Sequence, residues 1–138
     1  MKQDQKMIAV DTNILVRYAI RDDLAQAVTA TEFLKNNACC ILKTVLLELA
    51  WVLSSRTGYN LPHTVVSERL RHICGLPTIT VEAADDVAQA ISWYEQGMDF
   101  GDALHLASST FYSGFATLDR KMAAKANTVA EGYNLICL

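Results

Sequence analysis

The sequence predicts an α/β fold in which a parallel β-sheet lies between two layers of helices. Short apolar runs alternate along the chain with longer segments whose apolar residues recur at helical spacing. This alternation is typical of parallel strands joined by helices that cover both faces of the sheet. The chain has 138 residues, 51% of them hydrophobic, which suits one domain with a sizeable core. No proline-rich or glycine-rich linker interrupts it, so we expect a single domain over residues 1–138.

The first part of the chain contains three predicted strands, each a short apolar run, and four predicted helices. The strands are residues 7–10, 39–43 and 78–81, and the helices are residues 12–20, 22–37, 45–56 and 61–74. The second helix has acids in its first turn and Lys35 in its last, as the helix dipole favours. Thr44 is expected to cap the third helix, and Gly58 and Gly75 follow the third and fourth helices as typical end signals.

The rest of the chain continues the alternation with three helices and two strands. The helices are residues 83–96, 102–113 and 120–126, and the strands are residues 115–118 and 134–138. Gly97 and Gly114 follow the first two of these helices, where a helix commonly ends. The residues alone therefore predict five strands.

Composition and charge exclude a membrane-spanning protein and disfavour a broadly basic one. The net charge of −3 predicts a soluble chain without a broad basic face. No apolar run approaches the roughly 20 residues that span a bilayer, and the start MKQDQK lacks the apolar stretch of a signal peptide. We therefore expect a cytoplasmic protein without membrane contact. The four cysteines show no C-x-x-C spacing and are expected to be buried free thiols.

Two aspartates directly follow predicted strands. Asp11 comes after residues 7–10, and Asp119 comes after residues 115–118. In open parallel sheets ligands bind beyond the carboxyl ends of the strands, so both carboxylates are candidates for a site. Each is also followed by a helical pattern, and aspartate is a favoured helix N-cap. The sequence leaves the two interpretations open.

Glu48 lies within the apolar segment VLLELAWVL. Val45, Trp51 and Val52 stand three or four residues away, so we expect an apolar helix face around this carboxylate. A capping box with Thr44 would need Glu or Gln at position 47, where the chain has Leu47. A charged group on an apolar face is costly unless it is paired, which favours a role for Glu48 near a cation.

The stretch DFGDALHLA places two aspartates three residues apart at the start of a helix. If Asp99 caps this helix, Asp102 falls at its third position, where an acid also favours the dipole, so both could be structural. Folding needs only one of them, and Gly101 would allow another group to approach Asp102 closely. We assign Asp102 to chemistry and Asp99 to the cap, with Asp99 as a possible outer ligand.

Gathered carboxylates need a positive partner. One pair at ~4 Å repels by about 4 kcal/mol at an effective dielectric constant of ~20. A divalent cation removes this repulsion, and all-oxygen ligation favours Mg²⁺ or Mn²⁺ over zinc. Such an ion can bind a phosphate oxygen and activate a water molecule, which suits hydrolysis of phosphodiesters.

Four stretches follow one another over nearly the whole chain: IAVDTNILV, TVLLELAWVL, DFGDALHLA and FATLDRKM. None is specific alone, but the ordered set resembles the PIN-domain ribonucleases, especially the VapC toxins of bacterial toxin–antitoxin pairs. The resemblance implies a central parallel five-stranded sheet in a three-layer α/β/α sandwich. It also implies an endoribonuclease that depends on Mg²⁺ or Mn²⁺ and hydrolyses RNA.

The resemblance also implies roles for particular residues. The four catalytic and metal-binding acids of the family fall on Asp11, Glu48, Asp102 and Asp119, and supporting positions fall on Thr12, Asn13, Asp99 and Thr117. The family starts after residues 1–6, which are expected to form a flexible N-terminal extension. As a toxin the protein would have an RNA substrate and a small cognate antitoxin, and the family also implies a homodimer.

A housekeeping nuclease is the main alternative, and a receiver domain and a silent binding module are less favoured. A housekeeping RNA-processing nuclease would use the same four acids. A phosphoacceptor receiver domain needs paired acids near the first strand and an aspartate after a middle strand, and residues 39–43 and 78–81 carry none. In a catalytically silent binding module the acids would only cap helices.

Overall fold

The structure, a computed structural model, describes residues 6–138 of the chain. These residues form two units, one up to Ala84 and the other Asp85–Leu138. The predicted extension at residues 1–6 lies outside the described residues except for Lys6, which is exposed. A single domain over residues 1–138 stays a prediction.

The first unit contains three parallel strands and four helices. In chain order they are β1 (Ile8–Ala9), α1 (Thr12–Ala19), α2 (Leu24–Asn36), β2 (Cys39–Ile41), α3 (Lys43–Ser54), α4 (His63–Cys74) and β3 (Ile79–Val81). β2 lies between the other two strands, because Cys39 is in register with Ile8 on one side and with Ile79 on the other. The central strand is also the best buried, with Cys39 and Ile41 fully inaccessible.

The second unit begins in the helix that follows β3. Its elements are α5 (Ala84–Glu95), α6 (Phe100–Ser108), β4 (Phe115–Thr117), α7 (Arg120–Val129) and β5 (Leu135–Cys137). β4 and β5 are parallel, with Phe115 in register with Leu135. The helix predicted over residues 102–113 ends at Ser108, well before Gly114.

The prediction of an α/β fold with parallel strands is confirmed, but a single five-stranded sheet is not observed. Within residues 6–138 the strands pair as a three-stranded sheet, β1-β2-β3, and a two-stranded sheet, β4-β5. Each strand has only two or three residues. Strands of this length form only a few ladder hydrogen bonds with each neighbour.

α3 begins two residues earlier than predicted, and the expected Thr44 cap is wrong. Leu42 is the N-cap residue and makes no side-chain capping bond, so Thr44 lies inside the helix. Glu82, just after β3, supplies the missing acceptor, because its Oε1 accepts a hydrogen bond from the Lys43 N–H at 2.8 Å. A residue 39 positions away therefore satisfies one of the free amides at this helix start.

The turn after α3 depends on Gly58. A Cβ atom built on Gly58 would lie 2.1 Å from the carbonyl oxygen of Val52, which accepts a hydrogen bond from the Tyr59 N–H. We therefore expect Gly58→Ala to lower the free energy of unfolding by about 1–3 kcal/mol in urea unfolding. Thr57→Ala in the same exposed turn is the control and should change it by less than about 0.5 kcal/mol. Equal effects of the two changes would contradict this account.

The structure also tests two predictions from composition. Among residues 6–138 no helix is long and apolar enough to cross a membrane. All four cysteines are free thiols, as predicted, but only Cys39 is buried, and Cys137 is exposed. Burial raises the pKa of Cys39, and burial also raises the pKa of Cys74 to about 11 despite the nearby charge of Arg71. These two thiols are poor nucleophiles near neutral pH, because little thiolate is present.

Candidate active site

Asp11 caps the first helix of the first unit. It is the N-cap residue of α1, and its Oδ1 accepts a hydrogen bond from the Thr12 N–H at 2.7 Å. Its side chain is exposed, and Oδ2 has no hydrogen-bond partner among the described residues. Asp11 is therefore a helix cap, which is one of the two interpretations that the sequence left open. Its second carboxylate oxygen remains available to a ligand.

Thr12 connects Asp11 to Glu48. Thr12 is only 5% exposed, and its hydroxyl donates to Oε1 of Glu48 at 2.5 Å. The same residue thus gives its backbone N–H to the first acid and its side-chain O–H to the second. These two hydrogen bonds bring Asp11 and Glu48 to the same end of α1, although the two acids lie far apart in the sequence.

Glu48 is exposed, so the apolar helix face predicted around it does not lie in the core. α3 buries a different set of side chains, which consists of Leu46, Leu49, Ala50 and Leu53. The flank with Glu48 also carries Trp51, which is 62% exposed. α3 is apolar around most of its circumference, so its sequence pattern did not indicate which side faces the core.

Asp99 and Asp102 stand at the start of α6, and Asp99 has the capping role that the sequence predicts. Asp99 is the N-cap residue, and its Oδ2 accepts a hydrogen bond from the Asp102 N–H at 3.0 Å. Asp102 lies half-buried in the first turn. The carboxylate of Asp102 is thus not needed for capping.

Asp119 follows β4 and caps α7. Its Oδ1 accepts a hydrogen bond from the Met122 N–H at 3.0 Å. The hydroxyl oxygen of Thr117 accepts a hydrogen bond from the Asp119 N–H at 3.0 Å, which fixes the backbone where the strand ends. Thr117 therefore supports the position of Asp119 through the backbone rather than through its carboxylate.

The carboxylates of the second unit influence one another electrostatically. The pKa of Asp102 is raised, first by burial and then by the negative charges of Asp99 and Asp119. His105, one turn later on α6, opposes this effect and lowers the pKa of Asp102. A cation near Asp102 would relieve both the burial of its charge and the repulsion by its neighbours.

The three acids border an open cavity of about 620 Å³ that also has a basic side. Lys121 and Lys125, one turn apart on α7, line it together with Asp99, Asp102 and Asp119. Gly97 has a left-handed backbone, and a Cβ atom there would lie 2.9 Å from the Lys125 ammonium. The sequence analysis assigns no role to Lys125. The signal that could have indicated one is its spacing of four residues from Lys121, which places both lysines on one side of the helix that follows Asp119.

The predicted site residues fall into two sets. Asp11, Thr12 and Glu48 come together in the first unit, and Asp99, Asp102, Thr117 and Asp119 come together in the second. Asn13 is exposed on α1, and its side chain makes no hydrogen bond to another described residue. No group of three or more His, Cys, Asp or Glu side chains within residues 6–138 has the arrangement of a metal site. One metal pocket with all four acids stays a prediction.

Comparison with protein families identifies the type of domain. The family described as the PIN domain matches residues 8–127, a range that contains every candidate residue. The chain belongs to the PIN domain family. PIN domains are typically metal-dependent nucleases that act on RNA. No curated protein sequence matches the chain.

Proposed function

We propose that this PIN domain is an endoribonuclease that depends on Mg²⁺ or Mn²⁺ and is the toxin of a toxin–antitoxin pair. The observation that carries the proposal is the position of Asp99, Asp102 and Asp119 around one open cavity of about 620 Å³, in a chain that belongs to the PIN domain family. Burial of a carboxylate among other carboxylates is unfavourable for folding, which points to a functional reason for the arrangement.

The proposed metal ligands are Asp11, Glu48, Asp102 and Asp119. Their donor atoms are all carboxylate oxygens, which fit Mg²⁺ and Mn²⁺, and the uncompensated charge at Asp102 fits a cation. When bound, such an ion polarises a phosphate oxygen and lowers the pKa of a water molecule that attacks phosphorus.

Hydrogen bonds within each unit orient three of these acids, Asp11, Glu48 and Asp119. Thr12 holds Asp11 through its N–H and Glu48 through its O–H, so both carboxylates keep fixed directions. Asp119 accepts from the start of α7, which leaves its second oxygen for a ligand. Carboxylates held in this way lose little freedom when they bind a ligand.

Lys121 and Lys125 are proposed to bind the RNA backbone beside the acids. Both border the same cavity as Asp102 and Asp119, and an ammonium group is a suitable partner for a phosphate. The two lysines would bind phosphates that flank the reacting one, and the acids would bind the reacting phosphate through the metal. A cavity with acids on one side and lysines on the other suits an RNA strand, because the acids can hold a metal ion and the lysines can bind phosphates.

The position of Thr12 predicts that its hydroxyl supports metal binding. We expect Thr12→Val to weaken Mg²⁺ binding by about 10–100-fold, because Glu48 loses the donor that orients it. Calorimetric titration with Mg²⁺ measures this affinity. Thr29→Val is the control, since Thr29 is exposed on α2 and its hydroxyl donates only to the Ala25 carbonyl. An unchanged affinity in Thr12→Val would remove Thr12 from the site.

The function itself is tested by cleavage of a labelled RNA pool with Mg²⁺, with Mn²⁺ and with EDTA. We expect discrete products with either ion and none with EDTA. Cleavage that persists in EDTA would contradict metal dependence, and intact RNA under all conditions would contradict the nuclease assignment.

The toxin role is tested separately, by expression with and without the adjacent small open reading frame. We expect growth arrest that co-expression relieves. The first unit supports a protein partner, because Leu24, Val28 and Trp51 are 71%, 51% and 62% exposed. An antitoxin helix or a second copy of the chain could cover such side chains. Harmless expression of an active nuclease would instead favour a housekeeping role in RNA processing.

A further inference from the structure

A second cavity, of about 390 Å³, lies within the first unit between the end of α1 and the last turns of α4. Its lining residues are Tyr18, Ala19, Arg21, Arg69, His72 and Ile73. Two of these side chains carry guanidinium groups, one carries an imidazole, and none is acidic. The cavity therefore offers an excess of hydrogen-bond donors and positive charge.

Tyr18 and His72 form an ordered platform on one side of this cavity. Their rings are stacked, with centroids 5.7 Å apart and planes inclined by 9°, and Tyr18 Oη lies 2.7 Å from His72 Nε2. The guanidinium of Arg21 lies 6.0 Å from the centre of the Tyr18 ring. The ring thus holds both a cation and an imidazole in place.

Arg21 keeps its positive charge uncompensated, although two aspartates follow it in the sequence. The carboxylate of Asp22 is bonded to Arg17 at 3.0 Å and to the Tyr59 hydroxyl at 3.2 Å. The Asp23 side chain accepts from the Gln26 N–H at the start of α2. Arg21 itself donates to the neutral hydroxyl of Thr31 at 3.3 Å. Within the described part of the chain no carboxylate pairs with Arg21.

Arg69 has an unsatisfied hydrogen-bond donor. Its Nε atom is buried and has no hydrogen-bond partner in the described structure. Its Nη1 atom lies 3.2 Å from the carboxylate of Glu68, whose side chain is 73% exposed. Exposed ion pairs contribute little stability, so Arg69 can exchange this contact for an anion in the cavity. The Arg69 side chain is 40% exposed, so the accessible part of its guanidinium would then donate to that anion.

We propose that this cavity is an oxyanion site that binds a phosphate group between Arg21 and Arg69, with His72 beside it. Guanidinium groups match the oxygens of a phosphate with paired hydrogen bonds. The two arginines come from different parts of the chain, Arg21 from the loop after α1 and Arg69 from α4. The phosphate belongs either to an RNA strand or to a small phosphorylated compound. The site does not depend on the proposed nuclease activity, because it lies within the first unit and needs no metal.

The test is a titration of the ¹⁵N-labelled full chain with inorganic phosphate in EDTA, against chloride at equal ionic strength. We expect saturable shifts of the Tyr18, Arg69 and His72 signals. Arg69→Gln and Arg21→Gln should each weaken phosphate binding by at least about 10-fold, since each removes a charge-assisted hydrogen bond. Arg21 is exposed, so Arg21→Gln is expected to fold even if Arg69→Gln does not. Arg56→Gln, an exposed arginine outside the cavity, is the matched control and should leave binding unchanged.

Two oligoribonucleotides then distinguish the sources of the phosphate, one with a 5′-phosphate and one with a 5′-hydroxyl. Weaker binding of both by Arg21→Gln supports a site for internal phosphodiesters, and weaker binding of the phosphorylated one alone supports a site for a terminal phosphate. Binding of inorganic phosphate without either effect supports a small phosphorylated ligand. Shifts that chloride reproduces, or an equal loss of affinity in Arg56→Gln, would overturn the proposal.

Discussion

Asp102→Asn is expected to lower the rate of RNA cleavage by at least about 100-fold while the protein stays folded. The change removes a proposed metal ligand and the negative charge that most needs a cation. Asparagine has nearly the same size, and Asp102 caps no helix, so the start of α6 should be preserved. Steady-state cleavage with Mg²⁺ and circular dichroism of the same samples measure the two effects.

The same variant is expected to be more stable than the wild type without metal. A carboxyl group whose pKa is raised in the folded state contributes stability that is lost as the pH rises through that pKa. Asp102→Asn should therefore raise the melting temperature in EDTA by a few degrees at about pH 7. This advantage should vanish below about pH 4, where the carboxyl group is protonated in both states.

Two variants serve as controls for Asp102→Asn. Asp85→Asn removes an exposed acid from the first turn of α5 and should leave cleavage unchanged. Asp99→Asn should fold normally and cleave at close to the wild-type rate, because asparagine caps a helix about as well as aspartate. Inactivation by Asp99→Asn together with normal activity of Asp102→Asn would move the catalytic role to Asp99.

Asp11→Asn is expected to abolish cleavage and cellular toxicity without loss of stability. Asp11 caps α1 through one oxygen, and asparagine can keep this hydrogen bond to the Thr12 N–H. The variant loses the negative charge that is proposed to bind the metal ion. We therefore expect the rate of RNA cleavage to decrease by at least about 100-fold. RNA cleavage, urea unfolding and growth on expression are the measurements.

Asp23→Asn is a matched control, since Asp23 is the N-cap residue of α2 and also accepts a backbone hydrogen bond, from the Gln26 N–H. It should keep both cleavage and toxicity. If the two variants behave alike and stay active, Asp11 is only a helix cap. If Asp11→Asn unfolds and Asp23→Asn does not, Asp11 has a structural role that the capping bond does not explain.

The sequence by itself determined the features that depend on local patterns. Alternation of apolar runs with helical spacing predicted the α/β class, and parallel pairing of all five strands is observed. The assignment of Asp99 to the helix cap is confirmed, because capping depends on only three or four consecutive residues. The ordered acidic motifs also indicated the PIN domain family, to which the chain belongs.

Only the tertiary structure decided the features that depend on residues far apart in the chain. Pairing of Thr12 with Glu48 spans 36 positions, and pairing of Tyr18 with His72 spans 54, so no local spacing contains them. The exposed side of α3 was predicted wrongly, because a helix that is apolar almost all round does not specify which side is buried. The division of five strands into two sheets is likewise decided by backbone hydrogen bonds between distant segments. Side-chain type and spacing determine which helix, strand or helix cap a segment can form. Long-range packing determines which other segments it contacts.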